Sequence, residues 1–348
     1  MLKPFTLIKS ILILVSILST LTTFTLANAC TRVLYAKTGH AVLVGNNMDW
    51  FEEIKTNLLV YPRGMERDGR ISGNVLKWTS KYGSIVATAY ESITTNGMNE
   101  RGLAAHFLGL NGSDYGVRDE KTPGLSILLW AQFYLDNFQT VAQAVRFTQA
   151  NPFQVVTYVD PRINKNLELH LALEDATGDS AIIEYIDGKP RIYHGHKYTV
   201  LTNAPTYDQQ LENLHQYAGY GGDKPLPGTT IPSDRFVRAS FYLDRLPEPV
   251  STNESVLKLF SVLQNAGQPY GTNTPERAED GRIYESLWRT VSDLTNHVYY
   301  FNSTMRFNII WARLDKFNLQ PGSPVMMLDV VNNTNLAGDV TKEFKPVV

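Results

Sequence analysis

The sequence predicts an α+β fold in which two layered sheets are covered by helices. Apolar runs of strand length crowd residues 30–109 and return over 169–202 and 286–313. Segments with helical periodicity lie between and after them. Several strands are joined by tight-turn sequences, "ATGD" at 176–179 and "DGK" at 187–189. Strands, then helices, then strands again bury their apolar faces by stacking sheets and covering them with helices.

Taken in order, "CTRVLYA" (30–36) and "AVLVGNN" (41–47) read as two strands, and "KTGH" between them carries Gly39 and suits a tight turn. Pairing them sets position 30 opposite roughly 46 or 47. Strands follow near 57–61, 84–90 and 102–109. "TTNGMNERGLAAHFLGLNGSDYG" reads as strand, turn, strand and loop. Helices are expected over 124–136 and 140–150, then strands near 169–174, 180–186, 190–194 and 198–202. Further helices fall near 206–216, 234–245 and 253–265, with Ser233 or Asp234 as N-cap of the second of these. Strands return at 286–293, 297–303 and 308–313. The Gly- and Pro-rich stretch 217–233 reads as a loop within one domain, residues 30–348.

The first 29 residues read differently. Lys3 and Lys9 precede an apolar run from Ile11 to about Leu26, and small residues stand at Ala27 and Ala29. A positive start, an apolar middle and an A-x-A end describe a secretory signal peptide, too short and too rich in Ser and Thr for a membrane span. Its removal takes two of the 32 basic residues and none of the 34 acidic ones, so the net charge moves from −2 to −4. That balance offers nothing to nucleic acid or to an anionic membrane. The expectation is a secreted protein, in the periplasm, free of the membrane after cleavage.

Cleavage there exposes Cys30, the only cysteine of the chain. A secreted protein with one cysteine makes no internal disulfide, and a leftover thiol points to an intermolecular bond or a reactive group. Three readings compete. A lipid-anchored binding protein would need a large aliphatic residue three before the cysteine, where this chain has Ala27, and a flexible tether after it, where "CTRVLYA" enters a strand. A papain-like protease would show a Gly- and Trp-containing signature around the cysteine, which is absent; the His194-Gly195-His196 pair is weak evidence for a metal. An N-terminal nucleophile needs neither. The freed α-amine, with a pKa of about 7.7–8.0, can accept the proton of its own thiol.

Candidate helpers follow from the same reading. "NNMDW" (46–50) returns to position 30, and Asp49 is its only carboxylate: a turn former at a strand end, or a partner that orients the amine. Asn111 ends an apolar strand, as a turn residue or as an amide donor aimed at a developing oxyanion. Asn203 has the same form, between a strand and Pro205. Arg235 falls in the first turn of a helix, where a cation opposes the dipole, which suggests a task other than helix support. Met48, Trp50 and Tyr82 are candidate pocket walls or plain core.

The segments "CTR", "GNNMDW", "NGMNERGLAAHFLGLN", "VLTNAPTYDQQ", "SDRFVRASF" and "YYFNSTMRFNIIWARLD", in this order, resemble the choloylglycine hydrolases. These are the penicillin V acylases and conjugated bile acid hydrolases of the N-terminal nucleophile hydrolase superfamily. The signal peptide and "MDW" resemble the Gram-negative branch. The resemblance spans Cys30 to about Leu328. It implies a four-layer αββα sandwich and an amidase acting on linear, non-peptide amides of small molecules without metal or organic cofactor. It implies a homotetramer too; in relatives the 217–233 region takes part in its assembly, and in this chain that region is short. The substrate that the resemblance implies is penicillin V or a conjugated bile salt, with N-acyl-homoserine lactones or other N-acyl amides as the alternative. Carried onto these positions, it makes Cys30 nucleophile and base and sets Asp49 against the amine. It puts Asn203 and Asn111 in the oxyanion hole and gives Arg235 the support of the nucleophile's charge network. One position departs: relatives carry an arginine three residues before the aspartate, and this chain has Asn46.

Overall fold

The computed structural model describes residues 30–150, 153–162, 164–272 and 283–347. The segment read as a signal peptide, 1–29, lies outside the described residues. Among the described residues, sixteen strands form two large sheets. In chain order they are β1 Thr31–Tyr35, β2 Leu43–Trp50, β3 Asn57–Tyr61, β4 Ser84–Ala89, β5 Ile93–Asn99, β6 Ala104–Gly109, β7 Leu169–Glu174 and β8 Ser180–Ile186. Then come β9 Lys189–His194, β10 Val200–Leu201, β11 Glu285–Asp293, β12 Val298–Ser303, β13 Ile310–Arg313, β14 Met326–Asp329, β15 Gly338–Asp339 and β16 Lys345–Pro346. The first sheet runs β10-β1-β2-β11-β12-β13-β15, and the second β9-β8-β7-β6-β5-β4-β3-β14-β16. All these pairings are antiparallel except β13 with β15.

Among the described residues, five helices cover the outer faces: α1 Trp130–Asn137, α2 Val141–Gln149, α3 Tyr207–Leu214, α4 Pro232–Asp244 and α5 Thr252–Asn265. α1 packs on β5 and β6 and α2 on β8, while α4 and α5 pack on β1, with α5 reaching β2 and β11. Helix, sheet, sheet and helix make a four-layer αββα sandwich. One apolar cluster lies between the second sheet and its helices, around Phe107, Trp130 and Phe133. A larger one joins the first sheet to the second and to α4 and α5, and Cys30 belongs to it.

The helix expected over 124–136 begins only at Trp130. Gly124–Ser126 is extended and pairs in parallel with Gln154–Val156, and a short 3-10 turn, Ile127–Leu129, leads into α1. Pro123 and Gly124 break the start of the apolar run. α4 starts before the expected Ser233 or Asp234: Ile231 is its N-cap and Pro232 its first residue. Proline suits that position, since its fixed φ is helical and its missing N–H is one the helix leaves unpaired. Strands β14, β15 and β16 close the sheet edges beyond the last expected strand.

Candidate active site

Cys30 stands at the head of β1, and strand pairing decides what faces it. β1 and β2 run antiparallel with Thr31 opposite Asn47, so Cys30 falls beside Met48 and next to Asp49. The buried thiol lies 4.0 Å from the Asp49 carbonyl, to which it donates. The Asp49 side chain is fully buried; the Ser286 hydroxyl donates to its Oδ1, and its Oδ2 has no hydrogen-bond partner among the described residues.

Arg235, fully buried in the first turns of α4, ties the site together. Its Nη1 donates to the Cys30 carbonyl at 2.7 Å and to Thr31 Oγ1 at 2.6 Å, and its Nε to the Thr230 carbonyl at 2.9 Å. Its Nη2 donates to Asn203 Oδ1 at 2.9 Å. That bond fixes which end of the Asn203 amide is the donor, and Nδ2 donates to the Gly109 carbonyl at 2.9 Å. The chain Cys30–Arg235–Asn203–Gly109 thus joins the head of β1, a covering helix, the segment after β10 and the end of β6 in the second sheet. Asn111, two residues beyond Gly109, lines the cavity in front of Cys30.

Burial dominates the electrostatics. It pushes the Cys30 thiol up to about 12, and the nearby Asp49 charge adds to the rise. Backbone hydrogen bonds from Asp49 and Gly109 and the Arg235 charge act the other way. Asp49 is raised to about 6 by desolvation, against the opposing pull of Arg235, the Ser286 hydroxyl and Arg289. Arg235, lowered to about 10 by burial, keeps its charge at neutral pH. A thiol this poorly acidic attacks only if a base takes its proton. Next to Ala29 the Cys30 nitrogen is a peptide amide and cannot be that base.

The cavity has a volume of about 540 Å³ and reaches down to Cys30 between the two sheets. Met48 and Trp50 line it, as the sequence suggested, together with Ile54, Tyr90, Phe107 and Leu128. Tyr82 is not among the lining residues. It precedes β4, whereas the cavity meets the other end of that strand at Ala89 and Tyr90, a strand length of roughly 20 Å away. Tyr82 instead donates its backbone N–H to the Asp136 carbonyl at 3.2 Å and sets its ring near Arg101. Tyr90 takes the wall position: its hydroxyl accepts from Trp50 Nε1 at 2.8 Å and donates to Glu52 Oε1 at 2.8 Å.

Asn46 is buried between Arg32 and Thr290 in the register of the sheet, and its Oδ1 lacks a hydrogen-bond partner among the described residues. Arg32 does not turn to the thiol. Its guanidinium is held by Glu174, by Ser180 Oγ and by the Tyr198 carbonyl. His194 pairs with Asp179 and His196 with the Gly178 carbonyl, so the two imidazoles do not share a partner. Ser286, Arg289 and Tyr284 carry no sequence signal of a site. "YESLWR" reads simply as a strand, and only its pairing with β2 brings Ser286 to Asp49.

The sandwich, with a polar chain from both sheets converging on Cys30 just before its first strand, has the architecture of the N-terminal nucleophile hydrolases. Residues 30–332 match the linear amide C–N hydrolases of the choloylglycine hydrolase family, and the chain belongs to that family. It is 40% identical over 342 residues to a penicillin V acylase of Pectobacterium atrosepticum, covering 91% of this chain and 90% of the relative. A bile salt hydrolase/transferase of Clostridium perfringens is 27% identical, with 80% and 90% covered. Among solved structures, the penicillin V acylase from Agrobacterium tumefaciens superposes with a TM-score of 0.82 at 44% identity, covering 92% of this chain and 98% of that one. A conjugated bile acid hydrolase from Clostridium perfringens shares the fold, with a TM-score of 0.73 at 22% identity over 86% of this chain and 96% of that one. The protein is a hydrolase of linear amides.

Proposed function

We propose that this hydrolase is a secreted acylase of the penicillin V acylase type that works through Cys30 as an N-terminal nucleophile. The observation that carries the reading is the position of Cys30, buried at the head of β1 on the floor of an apolar cavity, with Arg235 on its carbonyl and Asp49 beside it. Removal of residues 1–29 turns the Cys30 nitrogen into an amine of pKa about 7.7–8.0, the base that the site otherwise lacks.

Sγ attacks the amide carbon while the α-amine takes the thiol proton. The carbonyl oxygen becomes an oxyanion, received by the second N–H of Asn203, since Gly109 engages only one of the two. Asn111 contributes from the cavity wall. The C–N bond breaks as the α-ammonium passes its proton to the leaving nitrogen, which leaves a thioester. Water then gives a proton to the amine, attacks the thioester and releases the acid with the thiol restored. Asp49 holds the amine by a charge-assisted hydrogen bond.

The aromatic and aliphatic walls suit an apolar acyl group such as phenoxyacetyl, and the two penicillin V acylases among the relatives support that choice. The cavity volume also admits a longer acyl chain, which keeps N-acyl-homoserine lactones as the second class. Penicillin V, glycocholate and a long-chain N-acyl-homoserine lactone are to be compared by kcat/KM on protein exported from a bacterial host, with its N-terminus weighed by mass spectrometry. The expected result is a chain starting at free Cys30, highest kcat/KM on penicillin V, and near-complete loss in Cys30→Ser. A diacylglycerol adduct on Cys30 or a fully active serine variant overturns the mechanism. A preference for glycocholate overturns the substrate class. Light scattering of the same sample tests the expected homotetramer.

A further inference from the structure

We propose that Arg289, together with Ser286 and Gly267, forms a support under Asp49 that keeps its carboxylate ionised and aimed at the head of β1, which makes Arg289 a positioning residue for the hydrolysis. The proposal rests on the N-terminal nucleophile reading and adds three residues that no part of that reading requires.

The geometry begins with a bulge. On β2, Asn47 and Asp49 are two apart and share a face. On β11, opposite Asn47 and Asp49, stand Arg289 and Ser286, which are three apart. In a regular strand residues three apart point to opposite faces. The register shift between Ser286 and Trp288 inserts one residue and brings both to the same face. That face is the one covered by α5, whose end docks on it. The Leu263 carbonyl accepts from Asn47 Nδ2 at 2.8 Å and the Ala266 carbonyl from Thr31 Oγ1 at 3.3 Å.

Gly267, immediately after α5, marks where these groups meet. A Cβ there would lie 2.9 Å from Ser286 Oγ, 3.2 Å from Arg289 Nη2 and 3.3 Å from Asn47 Nδ2. No left-handed backbone calls for glycine here, so space is the reason. The serine hydroxyl so placed donates to Asp49 Oδ1 and also accepts the Gln268 N–H at 2.9 Å. Arg289 is buried, with Nε unpartnered among the described residues. Burying a guanidinium is costly without a counter-charge, and among the described residues the anion whose field acts on it is Asp49.

Among the described residues, the charged and titratable groups that face Asp49 are the Cys30 thiol at the head of β1, Arg235 from α4 and Arg289 from β11. Arg235 is already engaged by the Cys30 and Thr230 carbonyls, Thr31 and Asn203. Among the described residues Arg289 makes no such set of bonds, and its charge acts on the carboxylate. Asp49 Oδ2 then remains open for the α-ammonium of Cys30.

The test is the pH profile of kcat/KM on penicillin V for the processed enzyme and for Arg289→Gln, Arg289→Lys, Ser286→Ala and Gly267→Ala. Loss of the cation favours protonated Asp49, so the acid limb of Arg289→Gln should move to higher pH by at least half a unit. Arg289→Lys should recover most of that shift. Ser286→Ala and Gly267→Ala should move the limb in the same direction, the latter by displacing the serine. Far-UV circular dichroism and the thermal midpoint report whether each variant folds. Where Gly267→Ala does not fold, Ser286→Ala decides. Folded Arg289→Gln and Ser286→Ala enzymes with an unmoved acid limb overturn the proposal. The mass of the N-terminus and the Cys30→Ser control are read on the same preparations, so failure of the nucleophile reading is recognised separately.

Discussion

Asn203 shows how one side chain acquires a role from its neighbours. Alone, an amide donates and accepts equally well at either end. Here Arg235 Nη2 holds Oδ1, and the Gly109 carbonyl takes one of the two Nδ2 protons. The remaining N–H belongs to a rigid, buried group, and a preorganised donor of this kind strengthens mainly as the oxyanion forms. Asn203→Ala should lower kcat by about 10²–10³ with little change in KM. Alkylation of Cys30 should continue at its normal rate. A raised KM at unchanged kcat would instead make Asn203 a substrate contact. At this scale the sequence was informative wherever one residue type is rare or oddly placed, as for the single cysteine, an arginine at the start of a helix, or an asparagine after a strand. It was silent where a common residue is recruited by a distant strand. Nothing in "YESLWR" announces that Ser286 and Arg289 flank Asp49, and Tyr82, the candidate wall, lies at the far end of the strand from Tyr90, which lines the cavity.

Among the elements, the β1–β2 hairpin was legible because a short turn between two apolar runs leaves few registers. The register found, Thr31 with Asn47, is one residue from the nearest expectation and is what brings Cys30 beside Met48. The helix over 124–136 was misjudged because an apolar run gives the same signal as buried strand and as helix. Its first three residues went to a parallel pairing that depends on residues thirty positions later. The close fit of α5 on the first sheet was also hidden, since it depends on Gly45 of β2. A Cβ at Gly45 would lie 2.6 Å from Leu263 Cδ1 and 3.3 Å from Leu259 Cγ. Gly45→Ala should therefore lower the free energy of unfolding by about 1–3 kcal/mol, the usual cost of overpacking. Urea denaturation measures it, and adding Leu263→Ala should cost less in the Gly45→Ala background than in the parent chain. Additive losses in the double variant would mean that the two sites do not compete for the same space.

At the scale of the whole molecule, the two sheets are joined by charge as well as by apolar packing. Arg32 of β1 is paired with Glu174 at the end of β7 and bonded to Ser180 of β8, all fully buried. His106 of β6 lies 3.2 Å from the same carboxylate, close enough for attraction though not aligned as a hydrogen bond. Burial pushes the Glu174 carboxyl up, but Arg32 and His106 outweigh it and leave its pKa below the ordinary value. A depressed carboxylate contributes stability that is complete above the unfolded pKa of about 4.3 and is lost as pH falls through the folded one. Asp49 behaves in the opposite sense. With its pKa raised to about 6, the folded state holds a proton that the unfolded state has released, so its burial costs stability as pH rises from about 4 to 6. Glu174→Ala leaves the Arg32 charge buried and unpaired and should destabilise by about 3–5 kcal/mol at neutral pH. The double change Arg32→Met with Glu174→Leu removes both charges and should recover most of that loss. Urea midpoints at pH 7 and pH 4 decide it. Glu174→Ala should lose less between pH 7 and pH 4 than the parent chain, because the carboxyl that titrates is gone. Equal losses in both would place the acid sensitivity elsewhere and reduce Arg32–Glu174 to a contact that the fold tolerates without depending on it.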